Sequence, residues 1–341
     1  MALEDEINQD ELIEGLKRQV VSLQRDARRK HDSQLELVAA VREAAYDAAV
    51  LVGKPKPVLK PVRSMGKQKP LVPLLHLTDW QTGKKTISYD SDVAVRRVRH
   101  VINTTRELAD LMRHVHPINE IVVAFGGDMM EGLGVFPGQV YEVDATAYQQ
   151  LLTVAHLEAE CILSLLEDFQ KVTVKSVPGN HGRIGRKGDM PKEDNLDLIA
   201  YELARAYLGE QKRLDWQENL QWHDHIVIGN YKALLIHGDE VKGGSAGTPV
   251  PPLQRKITQW AAGGGPPEEW DDVYLGHWHQ NVVTTLPGGG MVRMTPSSES
   301  GSIYASQTMG AAGVPAQRLM FIHPGKGRVI SEQLIWLEDV T

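Results

Sequence analysis

Cysteine occurs once in the 341 residues, at Cys161, so no internal disulfide can form and a reducing cytoplasm is the expected compartment. Inside an apolar helical pattern such a cysteine reads as a small buried hydrophobe. The sequence has no run of about 18 apolar residues, so no membrane-spanning helix is expected. Its first residues, MALEDEINQDELIEGL, are acidic and have no apolar centre, which is unlike a secretory signal. An excess of positive charge is also missing: 37 Lys and Arg stand against 44 Asp and Glu, a net charge of −7. That balance argues against non-specific coating of nucleic acid and suits an enzyme whose carboxylates hold cations. The glycine-rich stretches 242–249 and 261–267 lack the lysine and the helix of a phosphate-binding P-loop, and read as loops at the rim of a site.

Proline is absent from residues 1–52, which are rich in Glu, Leu, Gln, Arg and Ala and favour a long helix. Leu12, Leu16, Val20 and Leu23 share one face, but no heptad repeat is sustained. Residues 1–52 are therefore read as a helical arm that either joins a second copy in a homo-oligomer or packs on its own domain. Residues 53–70 carry four prolines and six Lys or Arg with no acidic residue. They read as an extended basic linker, able to follow a phosphate backbone or simply to remain solvated.

From residue 71 to 341 the pattern is that of one α/β domain. Apolar runs LVPLLHLT, EIVVAFGG and KVTVKSVPGN alternate with helical stretches near 90–114, 144–168 and 194–208. After about residue 220 strands follow closely, with a hairpin turn expected at Gly229-Asn230. Alternation followed by a meander predicts a sandwich with a mixed sheet.

Five polar clusters end these apolar runs, where α/β sheets place their sites. They are Thr78-Asp79-Trp80-Gln81, Gly127-Asp128-Met129-Met130-Glu131-Gly132, Gly179-Asn180-His181-Gly182-Arg183, His237-Gly238-Asp239 and Gly276-His277-Trp278-His279. Mixed oxygen and imidazole donors suit Mn, Fe or Zn better than Mg or Ca.

In this order the clusters resemble the calcineurin-like metallophosphoesterase superfamily, whose pattern is D-x-H, G-D, G-N-H, H and G-H-x-H. The resemblance spans about 71–300 and implies a four-layer α/β/β/α sandwich around two divalent ions, with Mn the first expectation. It implies that Asp79 and His279 bind one ion with Gln81, that Asp128 bridges both, and that Asn180, His237 and His277 complete the other. It further implies that water activated between the ions attacks phosphorus, that His181 serves the leaving oxygen or the transition state, and that Glu131 orients His181. The pairing of Asp79-Trp80 with Gly179-Asn180-His181-Gly182-Arg183 is similar to phage-encoded members, which would place the protein in a host cytoplasm.

Two departures stand out. Gln81 replaces the histidine of the first block and can ligate only through its carbonyl oxygen, so a weak first site is expected. Arg183 opens a basic loop with Arg186, Lys187 and Lys192; Arg183 is placed to clamp a phosphate, and Arg186 and Lys187 to bind substrate. Trp80 and Trp278, inside ligand motifs, either stack on a substrate base or simply wall the site. His76 reads as a core histidine, and His223 and His225 flank a strand start, where metal binding is only the minor reading. The expectation is a metal-dependent phosphodiesterase acting on nucleic acid, as a DNA exo- or endonuclease. The alternatives are a phosphatase or phosphodiesterase of small nucleotides, and a degenerate module that binds without catalysis.

Overall fold

The computed structural model describes residues 66–341 apart from 137, 186, 189, 243–249 and 302–312, together with residues 22, 25, 36, 39, 40, 42, 43, 46 and 58. Of the arm expected over 1–52 the eight described positions are helical. The rest of the arm and residues 53–57 and 59–65 of the linker lie outside the described residues, as does Arg186.

Among the described residues, eleven strands form two mixed sheets. The first has the order β11-β10-β1-β2-β3-β4, with β1 at Val72–Leu77, β2 at Glu120–Phe125, β3 at Lys171–Ser176, β4 at Leu214–Trp216, β10 at Ala316–His323 and β11 at Arg328–Trp336. Strands β1 to β4 run parallel, and β10 and β11 are antiparallel additions. The second sheet has the order β5-β6-β7-β9-β8, from β5 at His223–Ile228, β6 at Tyr231–Ile236, β7 at Asp272–Leu275, β8 at Val282–Thr285 and β9 at Met291–Met294. Its three central strands are parallel and its two edges antiparallel.

The period-2 alternation of β1 explains the layering. Leu75 and Leu77 face helices α1 (Ser91–Arg113), α2 (Ala147–Asp168) and α3 (Leu196–Leu208), in a core that includes Phe125, Leu165 and Tyr201. Val72 and Leu74 face the other way, meeting Ile226, Leu235 and Tyr274 of the second sheet. Helix α4 (Val250–Gln259) covers the far side of that sheet through Leu253 and Ile257. The four layers are therefore α/β/β/α, and both sheets are buried on two faces, which is why their central strands read as continuous apolar runs.

Local signals agree with these elements. Asp90 caps α1 by accepting from the Val93 amide at 2.8 Å, and Thr146 with Gln149 forms a capping box on α2. The Gly229-Asn230 turn joins β5 to β6, with Gly229 at φ 60°. Cys161 and His76 are buried as expected. Strand β4 and helix α4 are additions to the sequence reading. Three residues are too few to show a period, while Pro251 and Pro252 in the first turn of α4 are a helix-start signal that reads equally as a loop. Residues 261–267 are a correction: they lie beside Lys232 and Asp271, at the entry ends of β6 and β7 and away from the clustered ligands. No helix among the described residues is long and apolar enough to cross a membrane.

Candidate metal centre

Every predicted ligand sits just past the C-terminal end of a strand: Asp79 and Gln81 after β1, Asp128 after β2, Asn180 after β3, His237 after β6, and His277 and His279 after β7. Parallel strands that share a direction bring these exits to one rim. Backbone bonds stitch the loops together there: the Asp79 amide donates to Gly127 O at 3.0 Å, Gln81 to Asp128 O at 3.1 Å, and Gly276 to His237 O at 2.9 Å.

Among the described residues, the non-glycine residues with left-handed φ are Asp79 (50°), Gln81 (51°), Asp128 (54°), His277 (66°) and His279 (54°). All five are sequence-predicted ligands. Each such backbone costs about 1–3 kcal/mol and persists only where its surroundings over-determine it. Two glycines make room for the carboxylates. A Cβ at Gly276 would lie 1.9 Å from Asp79 Oδ2, and one at Gly179 2.1 Å from Asp128 Oδ1.

The side chains converge. His237 Nε2 is 3.1 Å from both Asp128 Oδ2 and Asn180 Oδ1. His279 Nε2 is 3.2 Å from Asp79 Oδ1. Asp128, His237 and His277 each offer a ligand atom within 4.8 Å of the others. Gln81 brings its Nε2 to 3.5 Å from Asp128 Oδ2 and leaves its buried Oε1 unpartnered. The other ring nitrogens are fixed from behind: His237 Nδ1 donates to Gly126 O at 2.8 Å and His279 Nδ1 to Glu299 Oε1 at 2.9 Å. This is how metal-ligating histidines are oriented. Two buried carboxylates, an unpartnered amide oxygen and three imidazoles that converge on one rim fit a divalent-cation centre.

The titration behaviour tells the same story. Burial opposes charge on every group, yet Asp79 and Glu299 lift His279 to about 10, and Asp128 and Asp79 lift His237 well above its ordinary value. Burial and then the His237 charge push His277 down to about 4. Burial raises the Asp128 carboxyl, but His237 and His181 outweigh it and hold it well below the carboxylate range. The carboxylates demand positive charge beside them, which a bound cation would supply in place of the imidazoles.

His181 stands beside this cluster. Its amide donates to Asp128 Oδ1 at 2.6 Å and its Nε2 lies 3.9 Å from Asp128 Oδ2. Its Nδ1 donates to the Glu131 backbone oxygen at 2.8 Å, with the Glu131 carboxylate at 3.4 Å. Glu131 therefore orients the ring mainly through its carbonyl, while Gln139 Nε2 donates to its carboxylate at 2.9 Å. Burial lowers the His181 pKa, and Asp128 and Glu131 outweigh it, raising it to about 9.

The outer residues are placed differently from expectation. Trp80 is a correction: it is fully buried, edge-on to Phe125 at 5.8 Å, and has no face for a substrate base. The left-handed turn at Asp79 sends it into the helical layer. Trp278 is half-buried against His277. Arg183 folds back on Asn180 O at 3.1 Å, and Lys187 and Lys192 approach Asp239 and Glu240 at 3.7 and 3.6 Å. Arg183, Lys187 and Lys192 line a cavity of about 260 Å³ that also touches Asn180 and Trp222.

Three supports escaped the sequence reading. Asp197, on α3, accepts from the amides of Asp128 (2.9 Å), Met129 (3.2 Å) and Gly179 (2.8 Å), so one carboxylate ties two ligand loops together. Asn195 caps α3 and donates to Gly179 O at 2.7 Å. Glu299 joins His279 to Lys84, whose Nζ is 2.9 Å away. The polar stretch 295–306 carries no spacing that marks Glu299 out.

No family model matches the chain. A prophage-derived uncharacterized protein of Bacillus subtilis, YonJ, is 22% identical over 98% of this chain and 80% of its own length. Among solved structures, Vps29 of Entamoeba histolytica complexed with zinc is 13% identical, covering 78% of this chain and 99% of that one, with a TM-score of 0.33. A conserved protein of Streptococcus pneumoniae titled a predicted phosphoesterase is 12% identical, covering 78% and 99%, with a TM-score of 0.30. In the order of its ligand motifs and the strand ends that carry them, the chain resembles the calcineurin-like metallophosphoesterases, and a phage-derived protein is among its relatives.

Proposed function

We propose that this protein is a metal-dependent phosphodiesterase with two divalent ions, Mn foremost, and that its substrate is nucleic acid, cleaved as an exo- or endonuclease on DNA. The observation that carries the reading is the convergence of Asp79, Asp128, Asn180, His237, His277 and His279, with strained backbone confined to residues of that set and Gln81. Asp79, Gln81 and His279 would hold one ion, Asn180, His237 and His277 the other, and Asp128 would serve both. Such ions polarise a phosphate ester and lower the pKa of water.

The chain's own residues supply the rest. His237 and His279 keep Nε2 lone pairs turned inward because their Nδ1 protons are committed to Gly126 O and Glu299. His181, held through Nδ1 by Glu131 O, presents Nε2 to the same space. A proton on that nitrogen is placed for the leaving oxygen of a phosphodiester, the role of a general acid. The largely buried surroundings strengthen each of these interactions.

The basic linker over 53–70 and the loop carrying Arg183, Lys187 and Lys192 favour a polymeric substrate. A second reading has one observation in its favour. Lys187 and Lys192 are matched by Asp239 and Glu240, which reduces the loop's charge for a polymer, and a cavity of about 260 Å³ adjoins them where a small ligand could sit. Hydrolysis of bis-p-nitrophenyl phosphate and of labelled single- and double-stranded DNA, with Mn added or chelated, separates the readings. Mn-dependent cleavage of both, lost in His181→Ala at unchanged metal content, is the expected result. Cleavage of the small ester alone selects the nucleotide reading, and no hydrolysis at full metal loading overturns both.

A further inference from the structure

The second sheet carries another group of metal-type donors, outside the centre described above. His223 and His225 lie two residues apart on edge strand β5 and so project on one face, opposite Ile236 and Leu234 of β6. That face is the one covered by α4, where Trp222 packs edge-on against His223 at 4.7 Å and against Trp260 at 5.2 Å. Glu268 reaches the two rings from the loop that follows the π turn Trp260–Gly264. The three residues offer ligand atoms within 4.8 Å of one another.

An ordinary ion pair does not account for this arrangement. Glu268 Oε2 approaches His225 Nε2 to 2.7 Å, which leaves His225 Nδ1 and His223 Nδ1 without a hydrogen-bond partner. Both nitrogens are buried. Buried nitrogens left unpaired are destabilising, so these two beside one carboxylate call for a further partner. The neighbouring carboxylate, Glu269, is engaged by Lys232 at 2.6 Å. Its pairing leaves Glu268 to turn towards the histidines.

We propose that His223, His225 and Glu268 form a second cation site, which takes a transition ion of the zinc class and fastens the loop before β7 to edge strand β5. Two imidazoles and one carboxylate are a zinc donor set, with water as the fourth ligand. Bonds of about 2.0–2.1 Å bring tetrahedral ligands to roughly 3.4 Å from one another. Here the ligand atoms lie within 4.8 Å of one another, and Glu268, 53% exposed on its loop, is the ligand free to adjust around an ion. The ion also shields edge strand β5, whose unpaired side would otherwise invite pairing with another chain.

The test uses the full chain with zinc as the probe. Protein is loaded with excess zinc, desalted, and its zinc content and affinity are measured for wild type, His223→Ala/His225→Ala and Glu268→Gln. The expected result is one ion per chain fewer in the double variant and at least tenfold weaker binding of that ion in Glu268→Gln. Diester hydrolysis should be unchanged in both. Cobalt substitution gives an independent reading, because the tetrahedral visible bands of the second ion should vanish in the double variant. Asp128→Ala, which disables the main centre, should keep this ion, so failure of the phosphodiesterase reading would leave the result intact. Equal zinc content and affinity in all three proteins would overturn the proposal. Glu268→Gln changes an exposed side chain, so the test stands even if the double variant misfolds.

Discussion

Replacing Asp197 by alanine tests whether the ligand loops are held from behind. Three buried amides, those of Asp128, Met129 and Gly179, lose their acceptor at once. An orphaned buried donor costs about 1–3 kcal/mol, which sums to roughly 3–9 kcal/mol if the cavity stays dry. A water entering in place of the carboxylate would satisfy one or two amides and bring the loss to about 2–4 kcal/mol. Domains are stable by only about 5–15 kcal/mol, so either figure is a large share. The loops after β2 and β3 also carry Asp128 and Asn180, and loss of a supporting shell typically weakens metal affinity by about 10–100-fold. Asp197→Asn keeps one carbonyl acceptor and should fall between. Denaturant unfolding with and without Mn, and calorimetric Mn titration, measure both quantities. An Asp197→Ala protein within about 0.5 kcal/mol of wild type and equal in Mn affinity would refute the reasoning, since that is the scatter of neutral surface changes.

Further outcomes are expected. Gly276→Ala places a Cβ 1.9 Å from Asp79 Oδ2, so that carboxylate must move; metal content should fall to one ion or fewer, and full loading would show that Asp79 is no ligand. Asp128→Ala should lose metal and hydrolysis together, and normal metal content would rule out the bridging role. Glu158 is buried in α2 with both carboxylate oxygens unpartnered, and burial, then Asp197, push its pKa well above the ordinary value. A raised folded-state pKa favours the fold below the unfolded value of 4.5 and withdraws that support as pH rises. Glu158→Gln should therefore flatten the decline of melting temperature from pH 5 to 8, and an unchanged slope would contradict it.

The ligands were legible because each follows an apolar run in its own short string. Asp79, Asp128, His237 and His277 needed only the strand before them to be placed. The supports were not legible, because they act across the fold. Asp197 holds an amide 69 residues away and Glu299 a ring 20 residues away, and neither has a local period. Trp80 went the other way. Its position inside a ligand motif suggested exposure, but the left-handed φ of Asp79, invisible in composition, turns it into the core. His223 and His225 show their strand spacing plainly, whereas Glu268 becomes their neighbour only once the loop after α4 is folded.

The two sheets contribute unequally placed halves of one centre. Asp79, Asp128 and Asn180 hang from the first, and His237, His277 and His279 from the second. Ions held between them would act as a rivet across the seam that Leu74, Leu235 and Tyr274 line with apolar contacts and that few polar pairs, such as His76 with Thr295 and Arg293 with Glu332, bridge. Chelation should then loosen the molecule along a plane rather than evenly. Amides of β6 and β7 would exchange with deuterium sooner than those of β2 and β3, whose burial under three helices is independent of the ions.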